Sequence, residues 1–142
     1  MSVRILTLPD PALRVVAEPV KAITPDLAAK IRTLSRALSK SRGAGLAAPQ
    51  VGWSARVFVL PMDRVFINPA ILATAGWIVE EEGCLSIPGV RLPVGRPELV
   101  RVEYCDLSGR KIVENFHGLE ARVVQHEIDH LDGILFTDRA GS

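Results

Sequence analysis

The chain is short of the features that would place it outside the ordinary globular proteins. It has two cysteines, Cys84 and Cys105, one tyrosine and three histidines among 142 residues. Two cysteines close at most one disulfide, too few for a secreted disulfide framework, so a reducing, cytoplasmic setting is expected. Charge is balanced, with 17 Lys and Arg against 16 Asp and Glu, and the densest basic stretch is Lys40-Ser41-Arg42. A phosphate-binding surface has little to stand on, and nucleic acid is not an expected partner. The longest run without a charge, Val65 to Val79, is shorter than the roughly 20 apolar residues a membrane helix needs and is broken by Asn68-Pro69. The first ten residues, Met1 to Asp10, lack the basic start and apolar stretch of an export signal. Repeats and low-complexity tracts are absent as well, so a single domain over residues 1–142 is expected.

What is present reads as an α+β fold. Hydrophobic residues make up 48% and charged residues 23%, which suits a packed core. Thr24 as N-cap and Pro25 at the first helical position start a helix whose Leu27, Ile31, Leu34 and Leu38 share one face, with Gly43 as its stop. Ala55–Leu60 and Val65–Asn68 read as short strands bounded by proline. Leu99–Cys105 alternates, with Val100, Val102 and Tyr104 on one side, and Cys105 reads as structural. A turn at Asp106-Leu107-Ser108-Gly109 returns the chain as a second arm, Lys111–Phe116. From Leu119 to Leu131 the spacing is helical again, ending at Asp132-Gly133. Consecutive strands predict mainly antiparallel sheets packed around the C-terminal helix rather than a doubly wound fold.

That second helix carries the chemistry. In His126-Glu127-Ile128-Asp129-His130 the two histidines stand at i and i+4, so both imidazoles can reach one metal with Glu127 beside the open position. A catalytic site takes a third protein ligand. The zincin peptidases find theirs downstream, but no histidine follows His130. Upstream stand His117, Cys105 and Cys84, and the last of these lies in Glu81-Glu82-Gly83-Cys84-Leu85-Ser86-Ile87-Pro88-Gly89, which reads as a shaped loop. Glu80-Glu81-Glu82 reads as an exposed acidic face.

At this point three segments in order resemble the motifs of the peptide deformylases. They are Gly43-Ala44-Gly45-Leu46-Ala47-Ala48-Pro49-Gln50, Glu82-Gly83-Cys84-Leu85-Ser86 and Gln125-His126-Glu127-Ile128-Asp129-His130. The similarity extends over Leu8-Pro9-Asp10 with Leu13-Arg14, over Ile67-Asn68-Pro69 and over His130-Leu131-Asp132-Gly133. It implies the peptide deformylase fold and a hydrolase that takes the formyl group from N-formyl-methionyl peptides, with Cys84, His126 and His130 holding one divalent metal and water as fourth ligand. In this family the ion is Fe(II) in cells, with Zn, Ni or Co as alternatives. The resemblance further implies Glu127 as general base and then acid, with Gln50 and the backbone N–H of Leu85 as oxyanion donors. It places backbone atoms of Gly45 and Gly89 on the peptide, Arg91 near the site, and Leu119 and Val123 beside the methionine side chain. At Ala44 the family often has a larger aliphatic residue, so a wider pocket is expected there. Many bacterial members use a further C-terminal helix to dock transiently on the ribosome. Here only Ile134–Ser142 follow the motif helix, and docking through that element is not expected.

Overall fold

Local rules set the first helix. In the computed structural model, which describes residues 3–141, α1 spans Pro25–Ser41, and the Thr24 side chain accepts a hydrogen bond from the Leu27 amide. Leu27, Ile31, Leu34 and Leu38 form its buried face, as their spacing predicts. The stop differs from the expectation. Arg42, not Gly43, takes the left-handed conformation, with φ 60°. Gly43 answers a different need, because a Cβ there would stand 2.7 Å from Leu85 Cδ1.

Seven strands follow. They are β1 (Leu46–Ala47), β2 (Val57–Leu60), β3 (Arg64–Ala75), β4 (Ile78–Cys84), β5 (Ile87–Arg96), β6 (Leu99–Cys105) and β7 (Lys111–His117). β1-β2-β3-β6-β7 make one sheet and β4-β5 another, and every ladder among the described residues is antiparallel. β6 has the predicted bounds, and Val100, Val102 and Tyr104 are its buried side. β3 corrects the expectation of a strand ending at Asn68. Asn68 turns to φ 50° and the register shifts between Ile67 and Ala70, so the strand passes Pro69 through a bulge. The Asn68 amide group fixes that bulge by accepting from the Val20 N–H at 2.9 Å and donating to the Val20 carbonyl at 2.8 Å.

The region read as a shaped loop is a hairpin instead. β4 and β5 turn tightly at Leu85-Ser86, with a register shift between Glu82 and Cys84. The second helix, α2 (Gly118–Leu131), leaves β7 directly and lays Ala121, Val124, Ile128 and Leu131 on Phe58, Phe66, Val102 and Phe116 of the large sheet. Phe66 stacks on Phe58 with ring centroids 4.4 Å apart. A last turn of helix, α3 (Phe136–Arg139), packs Leu135 and Phe136 with Leu13, Ile87 and Val94 under the hairpin. No helix among the described residues is long and apolar enough to cross a membrane.

Candidate metal centre and active site

Helix geometry and the hairpin tip together build the centre. His126 and His130 stand one turn apart on α2, and the bulge before Cys84 turns its thiol toward them. One ligand atom from each of Cys84, His126 and His130 lies within 4.8 Å of the others, and Cys84 Sγ stands 3.3 Å from His130 Nε2. The two further upstream candidates fall elsewhere. Cys105 packs against the core under α1, and His117 is exposed at the end of β7. One thiol and two imidazoles form a donor set suited to a transition metal rather than to magnesium or calcium.

The shell behind these candidate ligands is ionic. His126 Nδ1 faces Glu82 Oε1 at 2.9 Å, an arrangement that fixes the tautomer and leaves Nε2 free for a metal. Glu82 is buried, which corrects the reading of Glu80–Glu82 as an exposed face; Glu80 and Glu81 alone fit it. Arg96 grips both oxygens of Glu82 at 2.5 and 3.0 Å, and Arg122 reaches it at 2.6 Å. Burial raises the Glu82 carboxyl, but hydrogen bonds from His126 and Arg96 outweigh it and hold its pKa at about 2. Burial likewise opposes a charge on His126, yet its contacts with Cys84 and Glu82 and the charge of Glu127 lift it to about 10. A cation and that proton compete for the same imidazole. Burial keeps His130 neutral, its value pushed down to about 3.

Beside the ligands opens a cavity of about 210 Å³, lined by Gln50, Cys84, Leu85, His126 and Glu127. Glu127 is 3% exposed, and its Oε1 has no hydrogen-bond partner. Burial pushes its carboxyl up to about 7, a value suited to taking and returning a proton near neutrality. Gln50 is held by the Ala47 N–H, which donates to its Oε1 at 2.9 Å. Its Nε2 then points at Ser86 Oγ, 3.1 Å away, and lies 3.7 Å from Cys84 Sγ.

The family model for polypeptide deformylase matches residues 2–142. The chain belongs to the polypeptide deformylase family. Members remove the N-terminal formyl group from nascent peptides. The chain is 43% identical to the peptide deformylase of Dictyoglomus turgidum over 99% of its own length and 94% of that protein. With the peptide deformylase of Treponema pallidum it shares 47% identity over 93% and 84% of the two chains. The crystal structure of the deformylase from Thermotoga maritima superposes with a TM-score of 0.96 at 38% identity, covering 100% of this chain and 99% of that one. A deformylase from Synechococcus elongatus in complex with actinonin gives 0.94 at 42% identity, over 99% and 79%.

Of the residues placed on the substrate by resemblance to the deformylases, Ala44, Gly45, Arg91, Leu119 and Val123 line the cavity. Gly89 does not; it is an exposed residue of β5 with φ 77°. Leu119 is 77% exposed and sits at the rim, whereas Val123 also packs on the core. Sequence reasoning gave Arg96, Arg122 and Asp129 no role, and singling them out needs the three-dimensional pairing of Arg96 and Arg122 with Glu82 and of Asp129 with Arg96. Their signal is visible only as charged residues inside strongly apolar or motif-rich segments.

Proposed function

We propose that this deformylase, as one catalytic domain, releases formate from N-formyl-methionyl peptides, with Cys84, His126 and His130 as metal ligands. The observation that carries the reading is the convergence of a thiol and two imidazoles beside a buried carboxylate whose Oε1 is unpartnered. A bound divalent cation supplies Lewis acidity and a water acidified toward neutrality. Fe(II) is the proposed ion in the cell, and Zn, Ni and Co suit the same donors.

Glu127 takes the proton of the attacking water. The water oxygen bonds to the formyl carbon, the carbon–nitrogen bond breaks, and Glu127 returns the proton to the departing amine nitrogen, leaving formate and a free N-terminus. Negative charge grows on the formyl oxygen, and Gln50 Nε2 with the Leu85 N–H donates to it. The hydrogen bond from Ala47 to Gln50 orients that amide before substrate arrives. Ala44, Leu119 and Val123 form the apolar side of the cavity for the methionine side chain, and Gly45 and Arg91 meet the peptide. Of the two glycines, Gly89 is left out because it stands away from the cavity. A cytoplasmic setting with transient ribosome association fits a substrate that exists as the chain emerges, and the balanced charge of the chain gives no support to nucleic-acid binding.

The test is formate release from formyl-Met-Ala-Ser by protein loaded anaerobically with Fe(II), beside Glu127→Ala. Wild-type release that falls by about 10²–10⁴-fold in the variant, with metal retained, is expected from loss of a positioned proton carrier. No release from protein carrying one metal per chain overturns the reading.

A further inference from the structure

Buried charges persist only when paired, and removing one partner strands the other. Behind the proposed ligands such pairs form a continuous line that runs out to the C-terminal helix. Arg139 of α3 grips Asp129 with Nε on Oδ2 at 2.6 Å and Nη2 on Oδ1 at 2.9 Å. Asp129 receives Nη1 of Arg96 at 2.9 Å. The remaining nitrogens of Arg96 hold Glu82, and Glu82 holds His126 Nδ1. Glu82, Arg96 and Asp129 are 6%, 3% and 7% exposed. Neither Asp129 nor Arg139 lines the cavity. The same helix touches the centre a second way, since Phe136 stacks on the His126 ring with centroids 6.1 Å apart.

We infer that Arg139 is a positioning residue for the metal centre, acting through Asp129, Arg96 and Glu82 on His126. The inference rests on the reading that His126 is a metal ligand. Arg96 serves two carboxylates at once, and the division between them is set by what else Asp129 holds. With the Arg139 fork on both oxygens, Asp129 needs one N–H of Arg96, which leaves Nε and Nη2 for Glu82. Without Arg139, Asp129 is a buried carboxylate with Arg96 as its one remaining close cation, and Arg96 is drawn toward it. Arg122 cannot make up the loss at Glu82, because it is tied to the carbonyls of Val94 at 2.9 Å and Ile78 at 2.8 Å. Glu82 then loosens its hold, and the His126 ring loses its fixed orientation.

The test follows Co(II) in the loaded protein through its visible thiolate and ligand-field bands and its rate of release to a chelator. Changing a group that orients a metal ligand costs about 10–100-fold in affinity, and Arg139→Ala, acting two links further out, is expected to speed release about tenfold and shift the bands. Arg139→Lys keeps the charge but not the two-nitrogen fork and is expected to release the metal at a rate between those of wild type and Arg139→Ala. In an Asp129→Asn background, where no charge is left to neutralise, Arg139→Ala makes no further difference. Arg14→Ala controls for loosened docking of α3. It removes the ion pair of Arg14 with Asp138 on that helix and is expected to lower the melting temperature without faster release. Unchanged release and bands in Arg139→Ala overturn the inference, as does equal acceleration by Arg14→Ala or an undiminished effect in the Asp129→Asn background. A wild-type protein with no thiolate band overturns the ligand assignment as well, which separates the two failures.

Discussion

Replacing Gly45 by alanine probes how closely Glu127, the proposed proton carrier, is positioned. A methyl group at this position would stand 2.8 Å from Glu127 Oε2, 3.0 Å from its Cγ and 3.1 Å from its Cδ. Gly45 is not among the residues with positive φ, so alanine suits its backbone. On that ground alone it stabilises by about 0.4–1 kcal/mol through the unfolded chain. The collision must be relieved by the Glu127 side chain, whose oxygen has to retreat from 2.8 Å to ordinary contact beginning at 3.4 Å. A misplacement of about 1 Å costs a catalytic site roughly 100-fold, and this shorter retreat is expected to lower kcat by about 10- to 100-fold. KM changes little, since the Gly45 peptide groups remain. Formate release is measured alongside metal content and melting temperature, in the wild type, Gly45→Ala, Glu127→Gln and the double variant. A kcat within twofold of wild type refutes the placement of Glu127 as proton carrier. So does a full Gly45→Ala loss in the Glu127→Gln background, where the proton carrier is already gone.

Tyr104 is the one tyrosine of the chain, and burial followed by its 2.7 Å hydrogen bond to Glu114 raises its pKa from 10.0 to about 12. Ultraviolet titration is expected to show phenolate only near pH 12, and Glu114→Gln brings the transition down. Because the folded value lies above the unfolded one, this contribution to stability is complete below pH 10 and is lost as pH rises toward 12. The hydrogen bond from Arg14 holds Asp138 below the ordinary carboxylate value. That contribution is therefore present above the ordinary range and lost as pH falls through the folded value; the melting-temperature gap between wild type and Asp138→Asn is expected to close in acid. Phe66→Ala empties the centre of the Phe58, Tyr104 and Phe116 cluster and is expected to cost about 3–5 kcal/mol in urea unfolding.

The elements that sequence patterns revealed are those whose pattern is local. α1 announces itself through Thr24-Pro25 and its leucine face, and β6 through the alternation of Val100, Val102 and Tyr104. The spacing of His126 and His130 pointed to two candidate ligands, while the residues alone left Cys84, Cys105 and His117 open as the third. That choice depends on which strand end meets α2, a long-range fact that only the family resemblance supplied. The β4–β5 hairpin escaped because Gly83, Pro88, Gly89 and Pro93 punctuate it like a loop. Glu82 reads as one more surface acid until its cations, 14 and 40 residues away in sequence, are folded onto it. Gly43 looks like a helix stop because a glycine after a leucine face usually is one; the leucine it makes room for is remote in sequence.

The cavity lies along a seam. One wall is α2, seated on the five-stranded sheet, and the other is a two-stranded hairpin that joins that sheet through no ladder. A lone hairpin is marginal in water, and this one is fastened to the rest of the fold by ties that include Arg122 and His126 to Glu82 and Arg96 to Asp129, and by the small cluster around Phe136. Its amides are expected to exchange hydrogen sooner than those of β6, as measured by amide hydrogen exchange. Any ligand that touches both walls acts as a strap across the seam, so slowed exchange in β4 and β5 would register occupancy even for a compound that never turns over.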